Sequence, residues 1–344
     1  MGVADGDDLG LRVTGPTRQL LFLGPFLPPA VESGIRQMGF DLVAPCGDES
    51  DSWRDALSSA DVIFCDWTGR RPLGEPEAAR ATRAALVQQV GVGLESIDLK
   101  AWAARQIPVA NTAGANAVSV AEWCVASAFI SLRSMAWAHQ QMRAGEWPQG
   151  AIIERGCHEL ASRRVGIVGF GPVGAECSTR FRSLGCDVSY WTRRRRGPEE
   201  EFGATYASLD DLCAWSEILV VVIALTQETQ HLLGQDRLRR MPAGSIIINA
   251  ARGGVVDESA LLDAIRSGHL AGAALDVFSA EPLDPKSPLR LDERILLSPH
   301  AAALTTEAVQ RIVKSALANL GHARAGEPMD HVQNGVDAVA RWRA

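Results

Sequence analysis

The run Arg164-Val165-Gly166-Ile167-Val168 passes directly into Gly169-Phe170-Gly171-Pro172-Val173-Gly174, and few folds accept that order of residues. The first five residues read as a buried strand. The next six space three glycines as in a turn that opens a helix, which here runs to about Leu184-Gly185. A strand, turn and helix in this order make a pyrophosphate cradle. Gly169 permits the tight turn, Gly171 lets the backbone approach the phosphates, and Gly174 lets the helix pack close to the strand. The positive end of the helix dipole then faces the anion. Pro172 and Val173, the first helical residues, belong to the same cofactor-binding turn. A glycine-rich turn without a ligand is the alternative, and the complete strand-turn-helix context argues against it.

The following strand ends at Tyr190-Trp191-Thr192-Arg193, with Thr192 eighteen residues after Gly174 (192 − 174). An enzyme specific for NAD places there an acid that reads the ribose 2′-hydroxyl. Thr192 removes that negative charge, and the guanidinium groups of Arg193 and Arg194 can pair with a 2′-phosphate. NADP(H) is therefore expected in preference to NAD(H). Arg195 and Arg196 are expected to form a solvated basic tract.

At 344 residues, 47% of them apolar, the chain is long enough for about two domains. Its net charge of −7 gives no general attraction to nucleic acid. The seven cysteines form no C-x-x-C pair, so they read as reduced and structural. Residues 1–15 are acidic and lack a long apolar stretch; they read as a leader and not as a signal or anchor. The longest apolar runs, Ile218 to Leu225 and Ser245 to Ala251, are too short to span a membrane and suit buried parallel strands. A cytoplasmic location is the expectation. His139, His158, His231, His269, His322 and His331 show no metal-ligand spacing with a second ligand, so no metal is expected.

Strand-like segments at Gln19 to Leu23, Asp61 to Cys65 and Leu86 to Val90 alternate with helical stretches, as in a small open α/β sheet. A long apolar helix is expected from Asn116 to about Gly145. A second α/β series then offers six strands: Arg164 to Gly169, Asp187 to Trp191, Glu217 to Ala224, Ser245 to Asn249, Ala271 to Val277 and Arg294 to Leu297. The last stretch starts as a helix near Arg311 and ends as polar loop. The expected fold class is thus α/β, with two doubly wound domains of Rossmann-like and flavodoxin-like type.

Three further segments follow predicted strands with polar groups: Asn249 to Gly254 with Arg252, Ala274 to Pro282 with Asp276 and Glu281, and Ser298 to Ala303 with His300. In a doubly wound sheet the carboxyl ends of strands line the ligand crevice. With Val90 to Asp98, Asn111 to Glu122, Leu225-Thr226 through His231-Leu232 and the glycine turn, these segments make the chain resemble the D-isomer-specific 2-hydroxyacid dehydrogenase family, which includes short glyoxylate and hydroxypyruvate reductases.

That resemblance implies hydride transfer between NAD(P)H and a small 2-oxo or 2-hydroxy acid. It makes His300 the proton donor and acceptor, Glu281 its orienting partner, and Arg252 the cation that binds the substrate carboxylate. The backbone amides of Val92 and Gly93 would hold the same carboxylate. Asp276 would bond the nicotinamide carboxamide, and Leu225, Thr226, Ala250, Ala251, Ala302 and Ala303 would line the cofactor. Glu95 would shape the substrate loop. The resemblance also implies a substrate domain of residues 1–112 plus 306–344, with hinges near Thr112 and Thr305. The dinucleotide domain of residues 113–305 lies between them, a cleft separates the two domains, and the 116–145 region joins a homodimer.

Some positions depart from the family pattern: Trp123 stands where many relatives carry His, Val222 and Ala224 replace a polar residue and a proline often seen before Leu225-Thr226, and Ala303 stands where Gly or Ser is common after the catalytic His. They bear on substrate and cofactor detail and leave the reaction class intact. Pro25, Phe26 and Trp67 hint at an apolar substrate pocket. Two other functions remain open: phosphite oxidation on the same scaffold, and a dinucleotide-binding redox sensor or corepressor without turnover.

Overall fold

The computed structural model describes residues 16–43, 52–66, 69–197 and 202–343. The leader and Trp67 lie outside the described residues. The chain divides into two compact units, one running to Ala115 and resuming at Thr306, the other spanning Asn116–Thr305.

The first unit is a five-stranded parallel sheet of β1 (Arg18–Phe22), β2 (Phe40–Val43), β3 (Val62–Phe64), β4 (Leu86–Gln88) and β5 (Val109–Ala110), in the order β2-β1-β3-β4-β5. Helices cover both faces, so both sets of alternating side chains must be apolar. Leu20, Phe22, Val62, Phe64 and Leu86 pack in one cluster, and Leu21, Leu23, Ile63, Cys65 and Val87 in the other. The helix Thr306–Ala325 returns to the first cluster through Ala316, Leu320 and Ala323. It begins earlier than the expected Arg311. Its buried Asn319 donates to Gln88 Oε1 at 2.9 Å and to the Asp330 carbonyl at 3.0 Å, which fastens the C-terminal tail to β4.

The second unit is a seven-stranded parallel sheet: β6 (Arg164–Val168), β7 (Asp187–Trp191), β8 (Thr205–Tyr206), β9 (Ile218–Val221), β10 (Ser245–Asn249), β11 (Leu270–Leu275) and β12 (Ile295–Leu297). Their order, β12-β11-β10-β9-β6-β7-β8, is that of a Rossmann sheet, with the topological switch between β6 and β9. Val165, Ile167, Ile218, Val220, Ile246 and Ile248 fill one face, while Val168, Leu219, Val221 and Ile247 fill the other. Each fully buried Val, Leu or Ile contributes about 1.5–3 kcal/mol, so the two faces together define the register. The short edge strand β8 adds a seventh member to the six expected.

The single helix expected from Asn116 to Gly145 is two, Ala117–Leu132 and Met135–Arg143. The His158 amide takes the Leu132 carbonyl at 2.9 Å, and Ser134 adopts a left-handed conformation (φ 48°) that turns the chain. Among the described residues, no helix is long and apolar enough to cross a membrane. No group of three or more His, Cys, Asp or Glu side chains among them gathers to hold a metal.

Candidate functional site

All strands of the second sheet are parallel, so their carboxyl ends share one edge, and the predicted residues follow one another along it. His300 comes after β12, Asp276 and Glu281 after β11, Arg252 after β10, Leu225 and Thr226 after β9, Gly169 after β6 and Thr192 after β7. His300 and Glu281 therefore lie toward one end of the edge and Thr192 toward the other, with the glycine turn at the switch between them.

His300 Nδ1 lies 2.7 Å from Glu281 Oε2, and Glu281 Oε1 accepts the Phe278 amide at 3.0 Å. Burial alone would raise the Glu281 carboxyl. The hydrogen bonds from His300 and the Phe278 amide, with the nearby positive charges of His300 and Arg252, outweigh it and hold the group below its ordinary value. An ionised carboxylate only accepts, so Nδ1 carries the hydrogen of this bond, and Nε2 is left to exchange a proton with a substrate. His300 is 45% exposed, which leaves that nitrogen reachable.

The His300 turn is held from behind. The Asp276 carboxylate is 2% exposed; it accepts the amides of Ala301 at 2.7 Å and Ala302 at 2.9 Å, and a short hydrogen bond from the Ser298 hydroxyl. The His300 amide donates to the Asp276 carbonyl at 2.7 Å. These bonds keep His300 in a left-handed conformation (φ 52°), which a non-glycine residue holds only when its surroundings over-determine it. The carboxylate of Asp276 thus shapes the catalytic turn, a part that the sequence did not announce.

Arg252 projects from a turn closed by Asn249, whose side chain donates to the Arg252 carbonyl at 3.1 Å and accepts the Ala251 amide at 3.1 Å. Its guanidinium donates to the Ala251 carbonyl at 2.7 Å. Ala250 continues β10 through the Val221 carbonyl at 3.1 Å, while Ala251 and Ala302 are buried and Ala303 half-buried. Thr229, which sequence reasoning passed over, is 1% exposed. Its hydroxyl accepts the Thr226 amide at 2.7 Å and donates to the Ala224 carbonyl at 2.8 Å, fixing the Leu225-Thr226 turn. The signal was available as the Thr-x-x-Thr spacing of a hydroxyl-closed turn.

The glycine turn fits a pyrophosphate. At Gly169 (φ 101°) a Cβ would lie 2.8 Å from the Ile223 backbone, and at Gly174 it would lie 2.3 Å from the Gly169 carbonyl oxygen, so neither position tolerates a side chain. A Cβ at Gly171 meets nothing within 4 Å: the turn is open where a phosphate would approach. Gly171 precedes the twelve-residue helix Pro172–Ser183, whose first amides have no side-chain cap. Past β7, Thr192 is half-buried, Arg194 is exposed, and Arg193 pairs with Glu228 at 2.8 Å. Arg195 and Arg196 are exposed, as a solvated tract requires, and each also makes a local contact. Arg195 lies over the Tyr206 ring, and Arg196 donates to the Phe170 carbonyl at 3.1 Å, because the stacked Phe170 and Tyr190 rings bring the two loops together.

In the first unit the Val92 carbonyl accepts Asn111 Nδ2 at 2.8 Å, and Thr112 N donates to Gly91 O at 3.0 Å. This fixes the loop that carries Val92 and Gly93. Glu95 is exposed, as is Phe26, at 66%.

An imidazole–carboxylate pair on the same sheet edge as a dinucleotide-type glycine turn suits one class, a nicotinamide-dependent oxidoreductase. Comparison with known proteins narrows the class. The family model for the D-isomer specific 2-hydroxyacid dehydrogenase NAD binding domain matches residues 125–302. The chain is 37% identical over 276 residues to a glyoxylate reductase of Aeropyrum pernix, covering 77% of this chain and 78% of that protein. It is 35% identical over 292 residues to a glyoxylate reductase of Korarchaeum cryptofilum, covering 81% and 87%. The crystal structure of a glyoxylate reductase from Paecilomyes thermophila superposes with a TM-score of 0.81 at 26% identity, covering 90% of this chain and 96% of that one. The chain belongs to the D-isomer specific 2-hydroxyacid dehydrogenase family, and it is an oxidoreductase that moves a hydride between a nicotinamide cofactor and a 2-oxo or 2-hydroxy acid.

Proposed function

We propose that the enzyme reduces glyoxylate or a similarly small 2-oxo acid, using NADPH in preference to NADH. The observation that carries the catalytic roles is the His300–Glu281 hydrogen bond of 2.7 Å beside Arg252. Arg252 binds the substrate carboxylate, and its guanidinium also polarises the carbonyl. His300 Nε2 gives its proton to the carbonyl oxygen, and Glu281 stabilises the imidazolium and fixes its orientation. The nicotinamide, when bound, supplies the hydride. Asp276 would bond the nicotinamide carboxamide with the one acceptor position left over from the His300 turn. Gly169, Gly171, Pro172, Val173 and Gly174 hold the pyrophosphate, while Leu225, Thr226, Ala250, Ala251, Ala302 and Ala303 line the rest. The names of the relatives support glyoxylate as the first substrate to test.

The absence of an acid at Thr192 supports NADPH, with Arg193 and Arg194 as the phosphate ligands. Glu228 competes for Arg193, but that pair is 59% and 71% exposed. Such pairs are worth about 0–1 kcal/mol, less than the charge-assisted bonds that a 2′-phosphate offers. The test is kcat/KM for NADPH against NADH with glyoxylate. The reading requires a ratio above one that falls in Arg194→Ala; a ratio below one in the wild type refutes the preference.

The six described cysteines carry free thiols, which supports a reducing cytoplasm. Exposed Phe129, Met135 and Met142 on the helices of the 116–145 region support a homodimer through that face. No observation favours phosphite oxidation or a sensor without turnover.

A further inference from the structure

The 3₁₀ turn Gly253–Val255, directly after Arg252, touches the loop that carries Glu281. A Cβ at Gly253 would lie 1.8 Å from the Phe278 carbonyl carbon and 2.1 Å from Ser279 N, so the two backbones are in direct contact. Five residues on, Glu258 opens the helix Glu258–Arg266, and its Oε1 accepts the Ser279 amide at 2.5 Å. That helix is a rigid base. Asp257 caps it by accepting the amides of Ser259 and Ala260, each at 3.0 Å, and Leu261, Leu262 and Ile265 are buried beneath it.

Two adjacent amides, Phe278 and Ser279, thus meet two different carboxylates. Glu281 Oε1 takes the first at 3.0 Å and Glu258 takes the second. With Ser279 engaged, the Phe278 amide alone anchors Glu281, and Oε2 stays directed at His300 Nδ1. Without Glu258, the Ser279 amide becomes a competing donor for the carboxylate of Glu281. The loop also loses the side-chain bond that ties it to the helix after Arg252 and keeps the backbone contact at Gly253.

We infer that Glu258 is a positioning residue for the reaction: through the Ser279 amide it holds the Phe278–Glu281 loop and so sets the Glu281–His300 hydrogen bond. The inference rests on the proposed roles of Glu281 and His300.

The test compares Glu258→Ala, Glu258→Gln and Glu258→Asp in the full-length protein. Gln keeps an acceptor oxygen at the same reach. Asp keeps the charge at the helix terminus but is one methylene too short to reach Ser279. With glyoxylate and NADPH, Ala and Asp are expected to lose about tenfold to a hundredfold in kcat, the cost of a displaced catalytic group, with NADPH affinity and Tm held. Gln is expected to restore most of the rate.

A second readout needs no turnover. The Nδ1 proton of His300, observed downfield by proton NMR of the cofactor-free protein in the cold and assigned by its absence in His300→Ala, is expected in the wild type and Gln and lost in Ala and Asp. Wild-type kcat and an unchanged resonance in Glu258→Asp overturn the inference, as does equal impairment of Gln and Ala. A wild-type protein without turnover counts against the proposed function instead, and the NMR comparison then still decides the role of Glu258.

Discussion

At the scale of single residues, the site depends on one carboxylate kept charged in partial burial. Glu281 is held below its ordinary value by donors that exist only in the folded chain. Glu281→Gln is expected to keep the contact with His300 but to remove the charge that stabilises the imidazolium, lowering kcat for reduction by roughly 10²-fold while KM for the cofactor stays unchanged. Steady-state kinetics check it, and equal kcat refutes it. Glu217 gives a second prediction. Burial opposes its charge, but the Arg164 amide and the Arg163 guanidinium, the latter at 2.8 Å, hold its carboxyl below 4.5. A depressed carboxyl stabilises the fold above its unfolded value and ceases to do so as pH falls through its folded value. Stability is therefore expected to decline below pH 4.5 and more shallowly in Glu217→Gln, as urea titrations at several pH values would show.

That His300, Glu281 and Arg252 each follow a strand of one sheet was legible in the sequence, because each stands in a recognisable segment. Glu258 and the Asp276–Ser298 network were not, because their work is done across contacts that no local pattern encodes. Arg195 and Arg196 are exposed, as a run of charge suggests, but their contacts with Tyr206 and Phe170 depend on an aromatic pair that no local pattern announces.

At the scale of elements, the glycine turn is the part most completely written in the sequence, since only sterics decide it. Gly174→Ala places a methyl group 2.3 Å from the Gly169 carbonyl oxygen, so the helix must move away from β6. The expected result is at least about tenfold weaker NADPH binding, equivalent to ~1.4 kcal/mol, by calorimetric titration. Undiminished affinity would show that this close packing does not shape the cradle. Apolar strands such as β10 were legible from composition alone. The two-residue strands β5 and β8 carry too few side chains for a pattern, and the break at Ser134 lies in a left-handed residue that is not the glycine or asparagine which would announce it.

At the scale of the whole molecule, the proposed homodimer rests on the exposed apolar side chains of Phe129, Met135 and Met142. The proposed homodimer predicts that Met135→Glu combined with Met142→Glu yields a monomer by light scattering, with the far-ultraviolet circular dichroism of the wild type. A wild-type monomer would remove the homodimer. The fold class and the reaction class were both legible from sequence, because parallel strands, glycine turn and catalytic segments agree with one another. Cofactor preference was less so, since Arg193 has a competing acidic neighbour in Glu228.

The central claim is that His300, poised by Glu281, supplies the proton for reduction of a 2-oxo acid. The most direct measurement follows NADPH consumption with glyoxylate by wild type and His300→Ala, with NADPH binding measured on both. The account predicts turnover by the wild type, a loss of roughly 10²–10⁴-fold in the variant, and equal NADPH affinity. Turnover by the variant at the wild-type rate would contradict it, as would tight NADPH binding by a wild-type protein that reduces no 2-oxo acid.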